Sequence, residues 1–370
     1  MRQAEILILT VPHGTAHERL GRTLKKTLEK IRPEVTIEAV NALNYCSRWF
    51  RTYYNSYLLP LKYWPGLWEW IEGHQHAHTA TGPGWLYRQA AKPLARLIRA
   101  TQPEIVIATE VGLCELAALI KRHELLDFRL VAVPTGIDTD RPWVQSEVDL
   151  YVVEPDQVAP FLQAQGIPHS KILACGVPVD PVFESLPTRA VARQQLGLMP
   201  NIPVLLILFG GSGIGKPSRM IAGLKNVPMR FQTVWIAGRN ASLRQQLERH
   251  LAGQQNSRIL GWTDHMHEWM AASDLLLGKP GSGTVLEAIN SGLPILAFDP
   301  LPGIERRTCD SIEKWQIGCW IRRQEQLAEV MDDFLIHPEK LQRLRANALN
   351  MARPRAAQHA AQAILDLLSR

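Results

Sequence analysis

The chain has 370 residues, of which 46% are hydrophobic and 21% charged. That is enough to build two domains of ordinary globular composition, and it excludes disordered, fibrous and disulfide-scaffold classes. The formal net charge is +6, but residues 1–100 hold fourteen Lys and Arg against seven Asp and Glu, so the whole excess lies there. Such asymmetry points to an anionic surface, nucleic acid or lipid headgroups. The five cysteines (Cys46, Cys114, Cys175, Cys309, Cys319) form no C-x-x-C pair, against a disulfide framework or zinc site and in keeping with a reducing compartment.

"MRQAEILILTVPHG" opens the chain with Arg2 and Glu5 around a short apolar run. It reads as a first buried strand and not as a signal peptide. No stretch reaches the roughly 18 uninterrupted apolar residues of a spanning helix, so a cytoplasmic, non-spanning protein is expected. A glycine turn, Gly14-Thr15-Ala16-His17, follows this strand and leads into the amphipathic "HERLGRTLKKTLEKI". Next comes "RWFRTYYNSYLLPLKYWPGLWEW" (48–70), with nine aromatics, three basic residues and one acid. Tyr and Trp favour the headgroup boundary of a bilayer, so this segment reads as a membrane-surface hairpin with some rings in the core. "HQHAH" (74–78) has imidazoles at alternate positions, but no acid or cysteine at ligand spacing, and reads as a solvated loop.

The runs "EIVIAT", "RLVAVPT", "LYVVE" and "KILACG" continue the first half as short buried strands between helical patterns. Glu110, directly after the first of them, is placed either to bind an acceptor or to cap the following helix. "DTD" (138–140) sits in a first-half loop away from the later glycine turns, and metal binding there is not expected. A proline-rich stretch, residues 177–203, marks the domain boundary. Beyond it, "VLLILFG", "TVWIAG", "SRILGW", "DLLLGK" and "PILAFDP" are each followed by helix-like sequence. Two series of continuous apolar strands separated by helices predict two doubly wound parallel sheets. The last helical pattern, "RAAQHAAQAILDLLSR", has no strand after it.

Ligands in open α/β sheets bind beyond the carboxyl ends of the strands, where helix N-termini present free N–H groups. Besides Gly14–His17, two glycine turns occupy such positions: "FGGSGIGK" (209–216, with Gly211 and Ser212) and "KPGSGT" (279–284). Neither is a phosphate-binding P-loop, since the lysine of "GGSGIGKP" is not followed by a hydroxyl, and neither has the spacing of a dinucleotide fingerprint. Glu287 lies one helical turn past Thr284, suited to a ribose diol beside a phosphate at that helix N-terminus. Glu305 follows the next strand in "DPLPGIE". Phosphate, diol and a further hydroxylated group in a row spell a nucleotide sugar.

The stretch from Gly261 to Glu305, with "KPGSGTVLEA" and "PLPGIE", closely resembles the C-terminal half of the diacylglycerol glycosyltransferases. These are the monogalactosyldiacylglycerol synthases and processive diacylglycerol glucosyltransferases of glycosyltransferase family 28, relatives of the peptidoglycan lipid-intermediate GlcNAc transferase. "AGRN" (237–240), "GVPVDPVF" (176–183) and Gly14-Thr15-Ala16-His17 match as well. The resemblance implies an α/β GT-B fold, two Rossmann-like doubly wound domains facing a cleft. The expected bounds are 1–185 for an acceptor and membrane domain, 200–350 for a UDP-sugar domain, and 351–370 for a C-terminal helix. It further implies pyrophosphate at the turn Gly281, Ser282, Gly283 and Thr284, with Gly14, Gly211 and Ser212 in supporting turns. Ribose would lie on Glu287, uracil near Arg239 and Trp262–Thr263, and sugar hydroxyls on Glu305. His17 would be the catalytic base of a direct inversion.

Four positions depart from the family pattern: Ala16 for a glycine, Gly136 for an aspartate, Ile304 for the glutamine before Glu305, and Thr308 for an asparagine. The loss at Gly136 leaves Asp138 or Asp140 as partners for the base, and Ile304 with Thr308 puts the donor sugar in question. The expected activity is hexose transfer, galactose or glucose, from a UDP-sugar to diacylglycerol, with no metal, no cofactor and no nucleic acid. The protein would be peripheral on the cytoplasmic face of an anionic membrane. Two rival readings stand beside it: transfer to another, polyprenyl-linked lipid, and a non-catalytic sugar-nucleotide or lipid-surface protein.

Overall fold

The computed structural model describes residues 3–12, 15–56, 64, 66–67, 70, 73, 84–211, 213, 217–225, 227 and 231–368. Two compact units divide the chain: Met1–Pro181 with Arg353–Arg370, and Val182–Ala352.

The first unit is a six-stranded parallel sheet of β1 (Ile6–Thr10), β2 (Ile37–Asn41), β3 (Ile105–Ala108), β4 (Arg129–Ala132), β5 (Val148–Val152) and β6 (Ile172–Leu173), in the order β2-β1-β3-β4-β5-β6. Ile8 stands between Ala39 of β2 and Ile107 of β3. Alternate residues of the central strands serve opposite faces, which is why these strands read as unbroken apolar runs. Leu7, Leu9, Val106 and Ala108 face helices α3 (Gly84–Thr101) and α4 (Val111–Glu124). Ile6, Ile8, Ile105 and Ile107 face α1 (Thr15–Ile31) and the last helix of the chain, Ala356–Leu368. That last helix carries Ala356, Ala357, Ala360 and Ala361 on its buried side, followed by Ile364 and Leu365. Small side chains let it lie close against Leu20, Leu24 and Leu28 of α1. The C-terminal helix expected within 351–370 packs on the first unit, to which Arg353–Arg370 belong.

The second unit repeats the design with β7 (Val204–Leu208), β8 (Gln232–Ile236), β9 (Ser257–Leu260), β10 (Leu275–Gly278), β11 (Ile295–Phe298) and β12 (Gly318–Ile321) in the order β12-β11-β10-β7-β8-β9. Leu277 lies between Ile207 and Leu296 at its centre. Two strands, β2 and β12, were not among the runs read in the sequence. Both are edge strands of mostly half-exposed residues; Glu38 interrupts β2, and β12 is only the four residues Gly-Cys-Trp-Ile.

The sheet orders fix where ligands can sit. In the first unit the direction of winding reverses between β1 and β3, and in the second between β7 and β10. Crevices open at the carboxyl ends of the strands at these switch points. Among the described residues no helix is long and apolar enough to cross a membrane.

Candidate active site

At the first switch point, His17 is the third residue of α1, directly beyond β1. Its Nδ1 lies 2.6 Å from the carbonyl oxygen of Thr109, the residue just after β3. A carbonyl cannot donate, so Nδ1 carries the proton, and in the neutral ring Nε2 keeps its lone pair. Thr109 is itself fixed, because its hydroxyl donates to the carbonyl of Leu9 at 3.0 Å and its side chain is fully buried. A carboxylate was sought in the sequence as the orienter of the base. The partner the structure gives the ring is a backbone carbonyl, which no residue type announces; the signal was positional, since β1 and β3 are the strands that flank the switch. Glu110, buried, accepts the N–H of Leu113 at 3.0 Å and so caps α4.

The aromatic stretch that follows divides between core and surface. Phe50 of α2 (Arg48–Ser56) is fully buried edge-on against Tyr87 of α3, with ring centroids 5.2 Å apart, whereas Trp49, Trp64 and Trp70 are 78%, 62% and 68% exposed. Tyr57, Lys62, Tyr63, Trp68 and the histidines of 74–78 lie outside the described residues, as do Gly14 and Ser212.

To one side of the second switch point the loops after β7, β8 and β9 meet. The carbonyl of Gly211 accepts the N–H of Arg239 at 3.2 Å. Gly238, at φ +62°, is where a Cβ would stand 2.8 Å from the carbonyls of Gly210 and Gly211, so only glycine lets these loops close. The Arg239 guanidinium lies 4.2 Å above the Trp262 ring, whose Nε1 donates to Asp264. Gly211, Arg239 and Trp262 are thus brought together from three separate strand ends.

Helix α10 (Ser282–Asn290) begins at Gly281 just past β10, and no side chain caps it, which leaves its first N–H groups to an anion. Ser282, Gly283 and Thr284 form its half-buried first turn, and Glu287 one turn further on is 5% exposed. Glu305, at the start of α11 (Ile304–Lys314), folds back over the same turn. Its Oε2 accepts the Leu301 N–H at 2.6 Å, and its Oε1 lies 3.6 Å from the ammonium of Lys279. The side chains of Lys279 and Glu305 are only 11% and 12% exposed. Lys279 is a residue to which the sequence reading gave no role; its place in "KPGSGT" was the available signal. A cation next to an uncapped helix N-terminus adds to the positive potential there, and a carboxylate beside it can accept from hydroxyl groups. Thr308 spends its hydroxyl on the carbonyl of Ile304, one turn back, at 2.9 Å. The nearby Cys309 thiol is pushed up to about 12 by burial and by the negative charge of Glu305, Asp310 and Glu313, so it stays protonated. Among the described residues no cluster of three or more His, Cys, Asp or Glu could hold a metal ion.

Comparison with known proteins follows the division into units. Residues 13–179 match the monogalactosyldiacylglycerol synthase family model, and residues 209–303 match the glycosyltransferase family 28 C-terminal domain. A processive diacylglycerol beta-glucosyltransferase of Staphylococcus haemolyticus is 26% identical over 67% of this chain and 63% of its own length. The protein of that name in Bacillus mycoides is 24% identical over 99% of this chain and 94% of its own. Among solved structures, Acinetobacter baumannii MurG superposes with a TM-score of 0.63 at 14% identity, covering 98% of this chain and 99% of that one. The UDP co-structure of S. aureus MnaA gives 0.64 at 15% identity over 100% and 98%. Two six-stranded parallel sheets with these neighbours establish a two-domain, Rossmann-like GT-B fold. The chain is thus similar to the monogalactosyldiacylglycerol synthase family over residues 13–179 and to the family 28 C-terminal domain over residues 209–303, and it resembles the diacylglycerol glycosyltransferases as its motifs implied.

Proposed function

We propose that this protein is an inverting glycosyltransferase that moves a hexose, glucose or galactose, from a UDP-sugar to 1,2-diacylglycerol at the cytoplasmic surface of an anionic membrane. The observation that carries the reading is the uncapped, glycine-started helix N-terminus of α10 with Lys279 and Glu305 folded over it. That set is suited to a diphosphate joined to a hydroxylated ring. Arg239 and Trp262 are a flat, partly exposed pair fit for a base, and Glu287 is assigned the ribose hydroxyls. His17 accepts the proton of the acceptor hydroxyl on Nε2 as that oxygen attacks the anomeric carbon. The bond from that carbon to the phosphate oxygen breaks, and UDP leaves with the electron pair, its charge met by Lys279 and the helix dipole. One displacement turns an α-linked donor into a β-linked product, in keeping with the beta-glucosyltransferase names of the relatives.

Diacylglycerol as acceptor is supported by the N-terminal family match and by those names. The membrane surface is supported by the exposed Trp49, Trp64 and Trp70 in the basic first hundred residues of the chain. With Ile304 apolar and Thr308 bonded to its own helix, Glu305 is left as the main reader of the sugar. The deciding experiment incubates the protein with diacylglycerol vesicles and a panel of UDP-sugars, no metal added, and identifies the lipid product by mass spectrometry. A β-hexosyldiacylglycerol is expected. UDP binding without any glycolipid from the panel would replace this reading with that of a non-catalytic binder, and transfer only to a polyprenyl-linked lipid would replace the acceptor.

A further inference from the structure

We infer that the ion pair between Arg219 and Asp299 is a positioning clamp that sets the loop bearing Glu305, and so governs how the enzyme holds the donor sugar. The inference rests on the proposed donor site. Arg219 is the third residue of α7 (Pro217–Leu224), the helix after β7, and Asp299 is the first residue after β11. Their Nη1 and Oδ1 atoms are 2.8 Å apart. Since β10 lies between β7 and β11, the pair joins the segments that follow the two neighbours of the strand leading into the Gly281 turn.

The backbone at Asp299 shows why a clamp is required there. Its φ is +53°, a conformation that a residue with a Cβ adopts sparsely and keeps only where its surroundings hold it. Among the described residues three other non-glycines share that region, Gln102, Leu125 and Gln316. Each of those follows the end of a helix, where a left-handed residue is an ordinary cap. Asp299 instead follows a strand and opens the loop 299–303, which closes on Gly303 at φ +81°. Inside this loop the N–H of Leu301 holds the Glu305 carboxylate at 2.6 Å. A rotation at Asp299 therefore moves the group assigned to the sugar.

Arg219 is itself fixed. Its guanidinium lies 5.2 Å over the ring of Phe298, which is 1% exposed and rigid in the sheet. Lysine could restore the charge but not the planar stack. The two side chains are 38% and 27% exposed, and a pair so open to water adds little to global stability. Its effect should therefore fall on the loop and not on the fold.

The test compares wild type with Arg219→Met, Asp299→Asn, the double variant and Arg219→Lys, by calorimetry with UDP and with the UDP-sugar the enzyme uses, beside KM, kcat and melting temperature. Asn tolerates the left-handed backbone, so Asp299→Asn removes the charge without forbidding the turn. Expected are UDP affinities within about twofold of wild type, and UDP-sugar affinities lowered roughly 5- to 20-fold in either single variant. The double variant should be no weaker than the worse single one, because both remove the same pair, and Arg219→Lys should recover part of the loss. Equal losses for UDP and UDP-sugar, or single effects that add in the double variant, overturn the clamp. Glu305→Ala run in parallel separates the two levels. If it weakens UDP-sugar while the clamp variants do not, the clamp falls and the donor reading stands. If it leaves UDP-sugar affinity at the wild-type value, both fall.

Discussion

Replacing His17 is the sharpest perturbation of the proposed chemistry, because the structure separates its catalytic from its structural weight. Among the described residues the ring bonds to the fold through the 2.6 Å hydrogen bond from Nδ1 to the Thr109 carbonyl. A hydrogen bond of this kind contributes about 1 kcal/mol net to stability, so His17→Ala should shift the unfolding free energy by no more than roughly that. Loss of a general base typically lowers turnover about 10²- to 10⁴-fold, or roughly 3–5.5 kcal/mol in the transition state. His17→Gln, an amide in place of the base, should lose as much turnover as alanine. UDP affinity should be unchanged in both, since His17 belongs to the first unit and the nucleotide residues to the second. Product formation from UDP-sugar and diacylglycerol vesicles, with calorimetry for UDP and thermal melts, measures all three quantities. Turnover within about threefold of wild type in the folded variants would refute the assignment.

Glu287→Ala should weaken UDP itself, whereas Glu305→Ala should weaken UDP-sugar far more than UDP; equal losses for UDP in calorimetry would show the ribose and sugar ends to be wrongly assigned. Gly278→Ala would place a Cβ 2.4 Å from the carbonyl of Leu208, backbone that cannot turn aside, and should cost about 1–3 kcal/mol of stability in thermal melts. Gly281→Ala meets only Glu305 Oε1 at 3.7 Å and should melt like wild type. Trp49→Ser, Trp64→Ser and Trp70→Ser together should reduce sedimentation with anionic vesicles, and added salt should weaken wild-type binding; equal sedimentation of the folded variant and wild type would defeat the membrane surface.

Ten of the twelve strands were legible as short apolar-rich runs, because most are parallel strands covered on both faces, with no polar side to betray their period. The edge strands β2 and β12 were not read: Glu38 interrupts the first, and the second is only four half-exposed or edge residues, Gly-Cys-Trp-Ile. Local chemistry also wrote the glycine turn before α10 and the carboxylates after it, as their spacing depends only on the turn and the helix pitch. What the linear chain could not state is which strand ends lie side by side. That follows from sheet order, and sheet order is decided by how helices from distant parts of the chain cover the two faces. The docking of Ala356–Leu368 on the first sheet, the Thr109 carbonyl that holds His17, the Lys279 ammonium beside Glu305, and the bridge from Arg219 to Asp299 are all of this kind. Each joins groups whose proximity costs chain entropy and is repaid only once the sheet of their own unit has formed, so tertiary structure alone decides them.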